Sequence, residues 1–342
     1  MAKPSRVSSP DEARHRLCAL GDHLRTTVRA TLLATVPAVR TAGGPELARV
    51  EGETAADTVY GLDCIADDAL LGWFELHWPG VEVVSEGLAA PVVVGADPEW
   101  TVIVDTVDGT RGLMYDKRPA WSLAAAAPRG GTLRDVVAAA MTELPVLKQG
   151  AADQLSATRG SGVRAERVDL RDGTRSTFSP RPSTATDLEH GFAQVVKFFP
   201  PGKPALAALE AQLFDRLGAR HVFDDEYLCS GGQLHELMTG RDRFVADLRP
   251  LVAPGAFACH PYDVCTAMLL EEAGGVVTDP WGAPLDAPLD TTTPVAWAGY
   301  ANIGLARRIG PILADLVDDL HRPPATHPAT DPPEQTTHPE AR

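Results

Sequence analysis

The sequence predicts an α/β protein, and three observations carry that reading. Helix-period and strand-period segments take turns from Pro204 to Thr278. Trp100 to Val104 is an unbroken β-rich run of the kind buried on both faces of a sheet. That run empties into Asp105-Thr106-Val107-Asp108-Gly109-Thr110, an acidic, glycine-bearing turn where open α/β sheets place their ligands.

From Asp11 to about Val39, Leu17, Leu20, Leu24, Val28, Leu32 and Leu33 recur at three- and four-residue spacing, one face of an amphipathic helix with Ser9 as its N-cap. A second helix is expected from Asp63 to Leu76, stopped by Trp78-Pro79-Gly80, and a short strand over Val81, Val83 and Val84 delivers Ser85-Glu86-Gly87. Strands are expected at Ala120 to Ala127, where alanine propensity fits a helix equally well, and at Val136 to Met141. Gly150 to Pro182 reads as polar strands and turns. Beyond it come helix Pro204 to Leu217, strand His221 to Phe223, helix Gln233 to Met238, strand Arg243 to Leu248, helix Tyr262 to Glu272 and strand Val276 to Thr278. The expected organisation is a disordered segment 1–10, a domain 11–150 carrying the acidic motif, a domain 151–320, and a disordered tail 321–342 that holds six prolines and almost no apolar residue.

Composition excludes several classes of function. A chain of 342 residues that is 44% hydrophobic can bury its cores without cross-links. Its formal charge of -15 repels nucleic acid. No segment reaches the run of roughly 18 to 20 apolar residues that spans a bilayer, so no membrane partner is expected. Five cysteines without a C-x-x-C pair suggest neither a disulfide framework nor a thiolate zinc site, and a cytoplasmic location is the default.

The chemistry is expected at the acidic turn. Two carboxylates three residues apart can converge on one point, and converging hard oxygens suit Mg²⁺ or Mn²⁺. Gly109 permits close backbone approach, and a helix starting near Thr110 would turn free N–H groups toward an anion. Read alone, the hexapeptide is equally compatible with plain turn chemistry. Glu86 after a strand and Asp263 at the start of an apolar helix are likewise compatible with a solvated end and a helix cap.

Taken together, in order and spacing from about Asp11 to Leu320, these pieces resemble the inositol monophosphatase family, the magnesium-dependent, lithium-sensitive phosphatases that include fructose-1,6-bisphosphatases and bisphosphate nucleotidases. The resemblance implies an α/β/α/β/α sandwich and a small phosphate ester as substrate. It also implies a homodimer as a common state. Glu86, Asp105 and the Val107 carbonyl would hold one cation, and Asp105, Asp108 and Asp263 a second. Asp63 and Thr110 would orient the attacking water, with Glu86 helping to take its proton. The Gly109 and Thr110 amides would hold phosphate oxygens, and Asp247 and Arg249 would contact the substrate beyond the phosphate, although a surface ion pair explains that last pair equally well.

The chain departs from the family pattern at Thr106, where proline is usual, at Gly87, where a second acid is usual, and at Tyr262, where tryptophan is usual. Gly87 leaves the ion count at two or three. Arg111, Lys117 and Arg118 either line the pocket or form a solvated loop, and His260 is read as structural because a hard cation does not call for imidazole. The expected activity is hydrolysis of a polyol or sugar phosphate such as inositol monophosphate. The alternatives are fructose 1,6-bisphosphate, a 3'(2'),5'-bisphosphate nucleotide, or a non-catalytic relative that binds a sugar phosphate.

Overall fold

The computed structural model describes residues 7–39, 50–53, 58–253, 255 and 258–320. The first helix, α1 (Pro10–Val39), buries Leu17, Leu20, Leu24, Val28 and Leu32 along one stripe. Ser9 caps it, its hydroxyl accepting the Glu12 N–H at 3.2 Å. The disorder expected over 1–10 therefore does not extend to residues 7–10. Val7 is buried, and its carbonyl accepts the Trp100 indole N–H at 3.1 Å. Residues 1–6 and the tail 321–342 lie outside the described residues.

A short antiparallel ribbon, β1 (Val50–Glu53) and β2 (Thr58–Tyr60), precedes α2 (Gly61–His77). There follow β3 (Val81–Ser85), β4 (Val92–Val94), β5 (Trp100–Asp108), α3 (Thr110–Met114), β6 (Ala120–Pro128), β7 (Ala138–Leu144), β8 (Ala151–Thr158), β9 (Arg164–Asp169) and β10 (Arg175–Phe178). They form one eight-stranded sheet in the order β10-β9-β8-β7-β6-β5-β3-β4, antiparallel except for the β3–β5 pair. The sheet runs from Val81 to Phe178 and so spans the boundary expected at residue 150. Ala120 to Ala127 is a strand because β5 and β7 pair with it on both sides, which outweighs alanine's helix propensity.

The second half supplies β11 (Phe192–Val195), α4 (Lys203–Leu217), α5 (Ser230–Met238), β12 (Asp242–Asp247), α6 (Arg249–Val252), α7 (Ala267–Glu272), β13 (Val276–Thr278), β14 (Trp297–Tyr300) and α8 (Ile303–Leu320). The four strands form a second sheet in the order β11-β12-β14-β13. Three expectations shift here. The strand at His221 to Phe223 shrinks to a single bridge from Phe223 to Phe192, because no ladder continues beyond that pair. The helix expected from Gln233 begins earlier, at Ser230, capped by Cys229, whose Sγ accepts the Gly232 N–H at 3.3 Å. The helix expected from Tyr262 begins at Ala267, and residues 261–266 are turns.

The layers follow from which faces are apolar. α1 and α2 cover one face of the large sheet, packing Leu17, Leu20 and Phe74, with Trp78 just after α2, on Val81, Val83, Val102 and Val104. α5 and α7 lie between the two sheets, in a core that joins Ile103, Leu123 and Met141 to Leu234, Leu237, Leu269 and Val245. α4 and α8 cover the outer face of the small sheet through Leu206, Leu213, Phe244, Tyr300, Ile309 and Leu313. The result is the α/β protein expected from the sequence, layered as the α/β/α/β/α sandwich that the family resemblance implied. No helix among the described residues is long and apolar enough to cross a membrane.

Candidate active site

The acidic motif does not follow β5 but lies on its last residues, and an irregularity in the strand makes the site. Asp105 pairs with Leu123 of β6 and Asp108 with Trp121, so four residues of β5 stand against three of β6, with a register shift between them. In a regular strand, residues three apart point to opposite faces; one extra residue returns the second to the face of the first. Asp105 and Asp108 thereby converge. Gly109 then turns the chain into α3 with a φ of 100°, and a Cβ there would stand 3.1 Å from the Cβ of Cys229. Only glycine suits both demands.

The turns 261–266 bring Asp263 to the same point. Its Oδ2 accepts the His260 N–H at 2.6 Å, which fixes the carboxylate instead of capping α7. Ligand oxygens of Asp105, Asp108 and Asp263 all lie within 4.8 Å of one another. Among the described residues, no lysine or arginine forms an ion pair with any of the three. Burial pushes the Asp105 carboxyl well above the usual range, and the charges of Asp108, Glu86 and Asp263 push it further. Asp263 is raised by burial and then by Asp108 and Glu86. Burial carries Asp108 up to about 7, against the pull of the Gly231 and Ser230 amides at the start of α5, the first of which donates to Oδ2 at 2.6 Å.

These residues border one cavity of about 240 Å³, which Asp63, Glu86, Val107, Gly109, Thr110 and Arg249 also line. Glu86 stands near enough to repel Asp105 and Asp263 without joining their tight cluster. The Thr110 hydroxyl lies 2.7 Å from Asp63 Oδ1 and 2.8 Å from the Val107 carbonyl. It has one proton to give, and the carboxylate is the stronger acceptor. Its lone pairs then remain for a water.

The two residues expected beyond the phosphate part company. Asp247 is fully buried and does not border the cavity; its carboxylate holds Arg249 through contacts of 2.9 Å to Nε and 2.5 Å to Nη2. Its full burial keeps that carboxylate off the cavity surface. Arg249 does reach the cavity wall, with its guanidinium 4.6 Å from the ring centre of Phe198 and 5.4 Å from that of Phe199. Arg111 lies over Phe199 and borders the same space. Lys117 and Arg118 do not: they line a neighbouring groove, where Arg118 pairs with Asp225 and covers the Tyr227 ring. His260 stacks on Tyr262 and stays outside the carboxylate cluster.

Sequence reasoning missed three features. Phe198 and Phe199 come from the segment after β11, which no periodicity marks. The start of α5 holds Asp108, and the Ser230-Gly231-Gly232 run was the available signal for it. Asp67, one turn beyond Asp63 on α2, accepts a hydrogen bond from Thr106 Oγ1 at 3.2 Å, and burial pushes its carboxyl up to about 6.

The donor set bears on what the cluster can hold. Carboxylates and a backbone carbonyl are hard oxygens, no imidazole or thiol among the described residues falls within the cluster itself, and its mutual repulsion calls for cationic charge. Mg²⁺ or Mn²⁺ fits.

Comparison with solved structures places the fold. Mycobacterium tuberculosis SuhB is similar over 91% of this chain and 98% of its own, at a TM-score of 0.61 and 16% identity. The MJ0109 gene product, an inositol monophosphatase-fructose 1,6-bisphosphatase, is similar over 87% of this chain and 98% of its own, at a TM-score of 0.61 and 16% identity. Leishmania major fructose-1,6-bisphosphatase in holo form is similar over 93% of this chain and 100% of its own, at a TM-score of 0.63 and 15% identity. No family model matches the sequence, and no curated protein matches it. The chain thus shares the fold of inositol monophosphatases and fructose-1,6-bisphosphatases.

Proposed function

We propose that the chain is a Mg²⁺-dependent phosphomonoesterase that hydrolyses a small polyol or sugar phosphate, such as inositol monophosphate, by direct attack of water. The observation that carries this reading is the convergence of Asp105, Asp108 and the half-buried Asp263 within 4.8 Å, with no lysine or arginine among the described residues paired to them. Glu86, Asp105 and the Val107 carbonyl would hold one divalent ion, and Asp105, Asp108 and Asp263 a second. Bound there, the ions supply Lewis-acid stabilisation to the phosphoryl group and to the water that attacks it.

The chain's own residues supply the rest. Thr110 donates its hydroxyl hydrogen bond to Asp63 and turns a lone pair to the water, fixing its direction of approach. Glu86 accepts the proton that the water releases. The Gly109 and Thr110 amides hold phosphate oxygens at the turn into α3. The new P–O bond forms as the ester P–O bond opposite it breaks, and the alkoxide leaves with a proton from solvent. No covalent nucleophile is needed, which fits the three buried thiols nearby. Burial pushes Cys229, Cys259 and Cys265 up and keeps them protonated.

A second reading rests on the cavity wall. Phe198 and Phe199 offer a flat apolar face, with Arg111 and Arg249 against it. That combination favours a substrate with a planar group and a second anion, as in a 3'(2'),5'-bisphosphate nucleotide, over a bare polyol. Phosphate release from a panel of inositol, fructose, nucleotide and other sugar phosphates, with Mg²⁺ and with chelator, tests both. A chelator-sensitive signal on an inositol or sugar phosphate supports the first reading, and one confined to nucleotides supports the second. Silence from folded protein that binds Mn²⁺ would overturn both.

A further inference from the structure

Gly87 and Thr106 look, in sequence, like two separate losses, an acid gone and a rigid proline gone. In the fold they are neighbours of one side chain. A Cβ built on Gly87 would stand 1.6 Å from Oδ2 of Asp67 and 2.3 Å from its Cγ, so the Asp67 carboxylate fills the volume that a side chain at 87 would take. Thr106 donates its hydroxyl to Oδ1 of the same carboxylate at 3.2 Å, which a proline at 106 would not do. The Ser85 hydroxyl, 1% exposed and without a well-formed hydrogen bond of its own, is close enough to act on the same group.

We propose that Asp67 replaces the acid absent at position 87: entering from α2 instead of from the turn after β3, it is a positioning residue for the cation site, coupled to Gly87 for room and to Thr106 for its hold. This rests on the metal-dependent reading above. The physical route is short. Thr106 lies between Asp105 and Val107, the two β5 groups that would face the first cation, and Gly87 follows Glu86, the third. A carboxylate braced on Thr106 and packed on Gly87 fixes both chain segments and adds negative charge behind the ligands without bordering the cavity itself. Outer partners of this kind typically change metal affinity by about 10- to 100-fold when removed.

The test is Mn²⁺ binding to the full chain, read by calorimetry and by the loss of free-ion paramagnetic signal, with the Mg²⁺ concentration for half-maximal activity as a second readout. Asp67→Asn is expected to weaken Mn²⁺ binding by about 10-fold or more and to move the Mg²⁺ midpoint by the same factor. Thr106→Val, which leaves the carboxylate in place and is gentle on the strand, is expected to move both in the same direction by less. The decisive variant is the exchange Asp67→Ala with Gly87→Glu, expected to recover the affinity that Asp67→Ala alone loses, while Gly87→Glu alone collides with Asp67 and binds worse. Affinity of Asp67→Asn and Thr106→Val within twofold of the parent, or no recovery in the exchange, overturns the proposal and leaves the phosphatase reading standing. A parent chain that binds no Mn²⁺ overturns both.

Discussion

Replacing Asp108 by asparagine should separate stability from activity, with opposite signs. Asp108 is 6% exposed, and its carboxyl rises from an ordinary 3.8 to about 7. A carboxyl raised on folding contributes stability below its unfolded value and loses it as pH climbs through the folded one. Ionising the side chain in the metal-free fold therefore costs on the order of 4 kcal/mol by pH 8, at about 1.36 kcal/mol per unit. At pH 5 the cost is less than half as large, because the folded group is still protonated while most of the unfolded one has ionised. Asparagine keeps the shape and an oxygen for the Gly231 amide, and it turns an NH₂ group toward Asp105 and Asp263.

The metal-free variant should thus be more stable than the metal-free parent, and its advantage should grow by about 2 to 3 kcal/mol between pH 5 and pH 8. For a chain of this size that is a difference on the order of 5 °C in melting temperature. Thermal unfolding of both proteins, stripped of metal, at the two pH values measures it. Added Mg²⁺ at about 100 times its Kd should raise the parent by roughly 2.7 kcal/mol and the variant by much less. Turnover should fall by about 10²- to 10³-fold or more. An advantage that stays constant or shrinks as pH rises would refute the idea that ionisation of this buried cluster opposes folding; unaltered turnover would refute the two-metal reading.

Other perturbations test single links. Thr110→Val should lower kcat by about 10²-fold with little change in KM, and Thr110→Ser should restore most of it, since only the hydroxyl between Asp63 and the water matters. Arg249→Ala should cost about 3 to 5 kcal/mol in urea unfolding by leaving Asp247 buried and unpaired, and the pair Asp247→Asn with Arg249→Met should return most of that. Gly109→Ala should cost about 1 to 3 kcal/mol from the φ of 100° and abolish detectable phosphate release, because the added methyl meets Cys229. Phe199→Ala should lower kcat/KM for a bisphosphate nucleotide several-fold more than for inositol monophosphate if the aromatic wall receives a base.

How much of this was legible in the sequence depended on whether the information was local. The stripe on α1 repeats over about four turns and the cap stands just ahead of the helix, so pattern alone located the helix to within a residue. Convergence of Asp105 and Asp108 was legible as a possibility, but its cause, one extra residue in β5 against β6, belongs to a pairing that no single strand encodes. The same holds for Ala120 to Ala127, whose alanines say helix until two neighbours claim the backbone. Asp247 shows the opposite failure. Its position two residues before Arg249 suggested a pair, and the pair exists, yet only burial decides that one partner faces the cavity and the other is sealed behind it. Gly87 is the sharpest case. A missing acid reads as a loss for as long as position 87 is considered alone, and the carboxylate that fills its place arrives from a helix twenty residues earlier in the chain. What the sequence carries is the set of chemical groups; which of them stand in for one another is fixed by the packing of α2 against the ends of β3 and β5, and a substitution at any of Asp67, Gly87 or Thr106 has to be judged against the other two.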